Sequence, residues 1–304
     1  MATLAQKEIV NDRLLPAVLY ALGAHFLFVV MGATAKYLSQ THHVVEVAFF
    51  RNLFVVIPFF AILVLSKRLD LLKTKRPKTI AIRAIVGSLS LIVTFGAQSL
   101  LPLSNATVLL YMSTLLTPAF AYIFLKERVG AHRWAAIIVG MSGVLVIAAP
   151  SSQISAIGLL LALFAATLHA SMYTMLRHLK AESAITVTFY FVLAGMILPG
   201  LCMPWFAKGI AWDEAWLFFL VGASGGFAQL CLTNAYKYAP AAVITPFAYT
   251  SLLWSTLMDS MIWNNPPGGS IFTGASIIIA AQLYILYREH VNRQKTSHLK
   301  SEIP

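Results

Sequence analysis

The sequence predicts an all-α polytopic membrane protein with ten transmembrane helices arranged as two inverted five-helix repeats. Three observations point there. Of 304 residues, 59% are hydrophobic and 11% charged, against roughly 25% charged in soluble globular chains. The apolar residues fall into ten windows, each long enough to cross about 30 Å of hydrocarbon at the helical rise of about 1.5 Å per residue. The basic residues gather between alternate windows, which is the pattern that orients membrane proteins.

A polar lead occupies residues 1–13, with Lys7, Glu8, Asp12 and Arg13. Span one, about 14–35, is too long for the apolar core of a signal peptide, and no clean small-residue cleavage site follows it. Spans two to five occupy about 45–65, 79–101, 103–125 and 133–150, completing a first half at 14–150. Span four carries Pro118, which frees a backbone carbonyl and permits a kink. The second half, 155–287, repeats the count with spans at about 155–177, 185–206, 214–236, 240–262 and 269–287. Pro246 interrupts the ninth. A basic tail, 288–304, ends the chain, and no stretch remains for a soluble domain.

The net charge of +11 first suggests nucleic acid, but its distribution excludes that partner. With the N-terminus cytoplasmic, eighteen of the 22 Lys and Arg fall on the cytoplasmic side. Lys36 and Lys208 lie opposite, and Arg51 and Arg83 lie within spans. Both termini are therefore expected on the cytoplasmic side. The excess positive charge faces membrane lipid headgroups. Cys202 and Cys231 are expected near opposite faces, too far apart for a disulfide.

Five spans per half is an odd number, so the second half must enter the membrane from the other side. A shift of 141 lays Ala21, Leu22 and Ala24 on Ala162, Leu163 and Ala165, and Pro58 on Pro199. A shift of 135 lays Val86-Gly87 on Val221-Gly222. Inverted repeats of this kind recur in secondary transporters with a site near the midplane.

Function is sought among polar residues inside the membrane, where a central Arg costs about 2.5–3.5 kcal/mol on insertion scales. His25, Arg51, Asn52, Gln98, His169, Gln229 and Asp259 form that set. For Arg51 two readings compete: a snorkelling or structural side chain paired with Glu46, or a group in the transport path. His25 and His169 read as interhelical hydrogen-bonding groups or as cavity-lining, proton-linked ones. Asp259 is expected at the interface and Arg83 among headgroups. Tyr111, Tyr173, Tyr249 and Trp254 supply aromatic surface at depth. Together with Arg51, His25, His169 and Gln229 they are the expected substrate-binding residues, suited to an amphipathic solute. Gly87, Gly222, Gly225 and Gly226 mark close helix packing. No catalytic, nucleotide-binding or metal-ligand motif occurs, and His42-His43 lacks a partner set in the sequence. Neither enzyme activity nor a cofactor or metal is expected. A membrane-embedded lipid-modifying enzyme is the distant alternative.

Three segments carry a family resemblance. Glu46-Val-Ala-Phe-Phe-Arg51-Asn-Leu-Phe, Phe124-Leu-Lys-Glu127-Arg and Ala239-Pro-Ala-Ala-Val-Ile-Thr-Pro246-Phe-Ala-Tyr-Thr-Ser-Leu-Leu-Trp254 resemble EamA-type permeases of the drug/metabolite transporter superfamily. Lys126 departs from that pattern, which has Gly there, and Asn264-Asn265 stands where the second copy often carries Gly-Glu. The second span and the Leu72-Lys-Thr-Lys-Arg-Pro77 loop are most similar to the bacterial S-adenosylmethionine uptake carriers. The resemblance implies two EamA-like repeats around a central cavity and alternating-access secondary transport. The implied partner is a small-molecule substrate of the S-adenosylmethionine or amino-acid type. Export of amino acids or drugs is the alternative, and a homodimer is left open.

Overall fold

In a computed structural model, residues 2–126, 130–148, 155–179, 182–238 and 244–301 are described. Every regular element among them is helical. Glu127, Arg128 and residues 239–243, on which part of the resemblance rests, lie outside them. The ten passages are α1 (Ala2–Leu38), α2 (Val44–Leu65), α3 (Pro77–Leu100), α4 with α5 (Leu103–Leu110 and Met112–Leu125), α6 (Ala131–Ala148), α7 (Ala156–His178), α8 (Ala184–Phe206), α9 (Ala215–Tyr238), a 3₁₀ turn with α10 (Thr245–Tyr249 and Thr250–Trp263), and α11 (Gly269–Ser301). Residues 2–13 of the polar lead and 288–301 of the basic tail continue α1 and α11 rather than leaving the helix. Seven stretches, the broken α4–α5 passage among them, are long and apolar enough to cross a membrane, while Trp134–Ile147 in α6 and Gly269–Ile285 in α11 are shorter apolar helices. An even number of crossings puts both termini at one face.

Contacts between helices follow a pseudo-twofold pattern. α1 packs on α9 as α7 packs on α3, and α2 meets α9 as α8 meets α3. α2 pairs with α8, and α6 with α11, across the axis. At the last crossing the backbones nearly touch: a Cβ on Gly274 would stand 2.6 Å from the Gly143 carbonyl oxygen, and one on Gly143 would stand 2.8 Å from that of Gly274. Only glycine permits that approach.

Large apolar side chains such as Leu65, Ile138, Leu160 and Leu201 remain exposed, as lipid requires. Inside, one cluster joins α4–α7, α10 and α11 through residues such as Leu109, Met112, Leu115 and Ile278. A second joins α1–α3 and α9 through Phe95, Phe218 and Val221. Trp205, Trp212 and Trp216 are exposed around the face opposite the termini, where indole rings favour the headgroup boundary.

Candidate transport site

The two broken passages build the centre of the molecule. Tyr111 separates α4 from α5, and Tyr249 closes the 3₁₀ turn before α10. The two residues are 138 apart, and so are Lys126 and Asn264, which end these passages with φ of 54° and 48°. The two turns therefore share one left-handed conformation although neither holds the glycine that would adopt it without strain. The chain breaks at Tyr111, seven residues before Pro118.

The tyrosine rings meet edge to face with centroids 5.4 Å apart. Tyr111 donates its hydroxyl to the Ala248 carbonyl at 3.1 Å. Gln282, buried on α11, joins the pair: it accepts from the Tyr249 hydroxyl at 2.5 Å and donates to the Tyr111 carbonyl at 2.6 Å. That carbonyl also accepts from the Thr114 amide at 3.1 Å and the Thr114 hydroxyl at 2.8 Å. Ser251 brings in His25, whose Nδ1 lies 3.4 Å from the serine hydroxyl, and the same hydroxyl lies beside the Tyr111 phenol.

Arg51 is 4% exposed. Its Nη1 donates to Asn52 Oδ1 at 2.8 Å, and its Nε has no partner. Asn52 in turn donates to the carbonyls of Ala48 and Gly195, tying α2 to α8. Gly225 makes room for the guanidinium, since a Cβ there would stand 3.0 Å from Arg51 Nε. The expected pairing with Glu46 does not form, because Glu46 belongs to His42. Among the described residues no carboxylate balances Arg51.

Arg83 does not reach headgroups as expected. It is buried, lies over the Phe191 ring at 4.9 Å and donates to the Val187 carbonyl at 3.3 Å. Tyr173 lies within electrostatic reach of Arg83 and Tyr236, and its ring is 6.2 Å from that of His169. His169 Nδ1 is 3.0 Å from the Ser90 hydroxyl and 2.9 Å from the Ala165 carbonyl.

Trp254 stands apart from the tyrosine pair. Its ring packs edge-on against Phe26 at 5.1 Å and on the Val29, Ala33 and Leu103 cluster. It also borders an open groove of about 430 Å³ with Leu253, Leu257 and Pro267. Gln229 is half-buried on α9. The expected residues thus fall into a central group (Tyr111, Tyr249, His25), a buried cation (Arg51) and a pair on α7 (His169, Tyr173), with Trp254 and Gln229 outside these groups.

Acidic and basic side chains meet at the face opposite the termini. Asp259, expected at the interface, is fully buried within the protein at this face. It accepts from the Leu103 amide at 2.8 Å, the Ser104 amide at 2.7 Å and the Ser104 hydroxyl at 2.6 Å. Lys36 approaches it at 3.5 Å, donates to the Leu101 carbonyl at 2.9 Å and lies 4.4 Å from the Trp263 ring centroid. Nearby, buried His42 is held between Glu46 at 2.9 Å and Glu214 at 2.7 Å. Two residues of note escape a reading of the sequence by span. Gln282 is an amide in an apolar run, a signal equal to that of Gln229, whereas His42 gains meaning only when Glu214, far along the chain, is brought to it.

Residues 15–149 and 156–287 each match the EamA-like transporter family. An S-adenosylmethionine uptake transporter of Rickettsia bellii is 30% identical over 261 residues, covering 84% of this chain and 88% of that one. A pseudopaline exporter of Pseudomonas aeruginosa is 28% identical over 281 residues, covering 90% and 96%. A crystal structure 18% identical in sequence superposes with a TM-score of 0.60 over 90% of this chain and 96% of the other, a likeness of fold alone. With two matches that fill most of the chain, the protein belongs to the EamA-like transporter family.

Proposed function

We propose that the protein is a secondary carrier that moves a small amino-acid-bearing metabolite, of the S-adenosylmethionine type, across the bacterial inner membrane by alternating access. Both termini face the cytoplasm in this reading, in keeping with the eighteen basic residues on that side. One observation carries the choice of solute: Arg51 is buried and, among the described residues, has no carboxylate partner. A buried guanidinium gains most from a bidentate carboxylate, and an amino-acid moiety supplies one. The Tyr111 and Tyr249 rings, set edge to face at 5.4 Å, offer π faces that attract a cation such as a sulfonium. His25, His169, Tyr173, Trp254 and Gln229 complete the proposed lining.

The relative named as an uptake transporter supports import, and the one named as an exporter favours the reverse direction as a second reading. Counterflow in proteoliposomes tests both. Wild-type protein is expected to exchange labelled S-adenosylmethionine, and R51Q to lose that exchange while retaining transport of the decarboxylated analogue. No exchange of S-adenosylmethionine or amino acids, or full activity of R51Q, overturns the reading. Imposed gradients of solute and pH then give direction and coupling.

A further inference from the structure

We propose that His42, Glu46 and Glu214 form a proton-binding site, and that a proton taken from the compartment opposite the termini holds that face closed. The inference rests on the alternating-access reading above. The geometry requires the proton. His42 Nδ1 lies 2.9 Å from Glu46 Oε2, and His42 Nε2 lies 2.7 Å from Glu214 Oε2. A neutral imidazole has one N–H donor and one lone pair, so with two carboxylates one contact would set a lone pair against an anion. Both contacts become hydrogen bonds when the cluster holds one proton more, as imidazolium between two carboxylates.

Three chain segments meet there. His42 lies in the connection from α1 to α2, Glu46 in the first turn of α2 and Glu214 just before α9. Among the described residues, no other charged side chain is paired with the cluster. The Phe218 ring of α9 packs edge-on against the imidazole at 5.0 Å. The Lys208 amide donates to Glu46 Oε2 at 3.4 Å, while the Lys208 and Asp213 side chains are exposed. The Thr41 hydroxyl lies 3.4 Å from Glu214. His43 is turned away to stack on Phe206, and Lys36 is turned to Asp259. His42 is 6% exposed, whereas the Glu214 side chain keeps 28% exposure and offers the proton a route to water. Burial alone would lower the basicity of His42, but the hydrogen bonds and charges of Glu214 and Glu46 outweigh it and raise the pKa above the ordinary histidine value.

The balance is simple. Closed, the cluster carries one imidazolium and two carboxylates. Release of the proton to the adjoining compartment leaves a neutral ring and two anions, and the segments separate. Alkalinisation of that compartment therefore favours opening toward it, and acidification holds it shut.

The test uses full-length protein in nanodiscs with two readouts. Imidazole nitrogen NMR of labelled protein is expected to show one histidine, lost in H42Q, titrating above the ordinary value. Spin labels at Q40C and W212C, in a C202S/C231S background, are expected to show a longer distance gaining population with pH over the same range. In E214Q a neutral His42 can donate to Glu46 and accept from the new amide, so the short distance should persist at all pH values. A His42 resonance that titrates at or below the ordinary value, a wild-type distance that ignores pH, or an E214Q protein that follows the wild-type profile overturns the proposal. Failure of solute exchange with the titration and distance change intact would instead strike the carrier reading alone.

Discussion

Replacing Asp259 by Asn separates two roles for this carboxylate: partner of Lys36, or cap of α4. The structure assigns most of its stabilisation to the cap, since three hydrogen bonds of 2.6–2.8 Å reach it while Lys36 stands at 3.5 Å. Hydrogen bonds to a charged group contribute about 1.5–3 kcal/mol each. An Asn amide can turn its oxygen to some of these donors, but its NH₂ then faces another N–H. It also leaves the Lys36 ammonium, 11% exposed, without a carboxylate. D259N should cost about 3–5 kcal/mol, the range for breaking a buried pair from one side. K36M leaves Asp259 with all three donors and should cost about 1–2 kcal/mol, from one carbonyl hydrogen bond and one cation–π contact. The double variant should be less destabilised than the sum, with a coupling of about 1 kcal/mol or more. Denaturant titration of purified protein in mixed micelles, followed by tryptophan fluorescence, measures all three. K36M as destabilising as D259N would refute the assignment and make the ion pair the principal contact.

Other consequences follow from the same contacts. G274A should destabilise by about 1–3 kcal/mol in the same titration, because its new methyl would meet the Gly143 carbonyl and the Ile147 side chain, already within 2.4–2.6 Å of that position. Q282L should cost about 1–3 kcal/mol from two lost hydrogen bonds, and it should slow counterflow severalfold because the Tyr249 hydroxyl and Tyr111 carbonyl lose their shared partner. Stability should also depend on pH through His42. Its pKa is raised in the folded protein, so its contribution is complete below about 6.5, the unfolded value, and is lost as pH rises through the folded value. Melting midpoints across that range should fall for the wild type and show a flatter profile for H42Q.

The passages of the fold were legible because hydrophobic length is a local property: each of the ten predicted windows has its counterpart in a helix or a broken pair. The site was legible only in part. Tyr111 and Tyr249 were visible as aromatic residues beside proline-bearing stretches, but their contact depends on two kinks converging across the pseudo-twofold axis. Arg51 was visible as a cation in oil, yet its sequence neighbour Glu46 was the wrong partner. Glu46 lies near the start of α2, where His42 precedes it by one turn and captures its carboxylate at 2.9 Å. Asp259 shows the same limit. Near the end of a span it looks interfacial, and only the arrival of the α4 N-terminus, 155 residues away in sequence, explains its complete burial. Position along one helix gives depth, while partners come from helices that sequence distance does not reveal.

The internal symmetry also shows where the two faces must differ. The 138-residue correspondence that pairs Tyr111 with Tyr249 lays Asp259 on Ala121. The 141-residue shift of the first two spans lays His42 on Ser183 and Glu46 on Val187, and the 135-residue shift lays Glu214 on Thr79. Each ionised group of the two clusters, Lys36 excepted, therefore has an uncharged counterpart. Ser183 caps α8 instead, accepting from the Ile185 amide at 3.2 Å, a task that at α2 falls to His43, which accepts from the Val45 amide at 3.3 Å. Val187 offers its backbone carbonyl to Arg83 where Glu46 offers a carboxylate to His42. The principal packings correspond between the halves, α1 on α9 with α7 on α3 and α2 on α9 with α8 on α3, which on the carrier reading lets the two halves exchange conformations at little cost. Chemistry confined to one half is what biases the exchange. Here the bias lies in buried charge, which neither lipid nor a distant compartment can titrate, so control of the opposite face belongs to the water that touches Glu214.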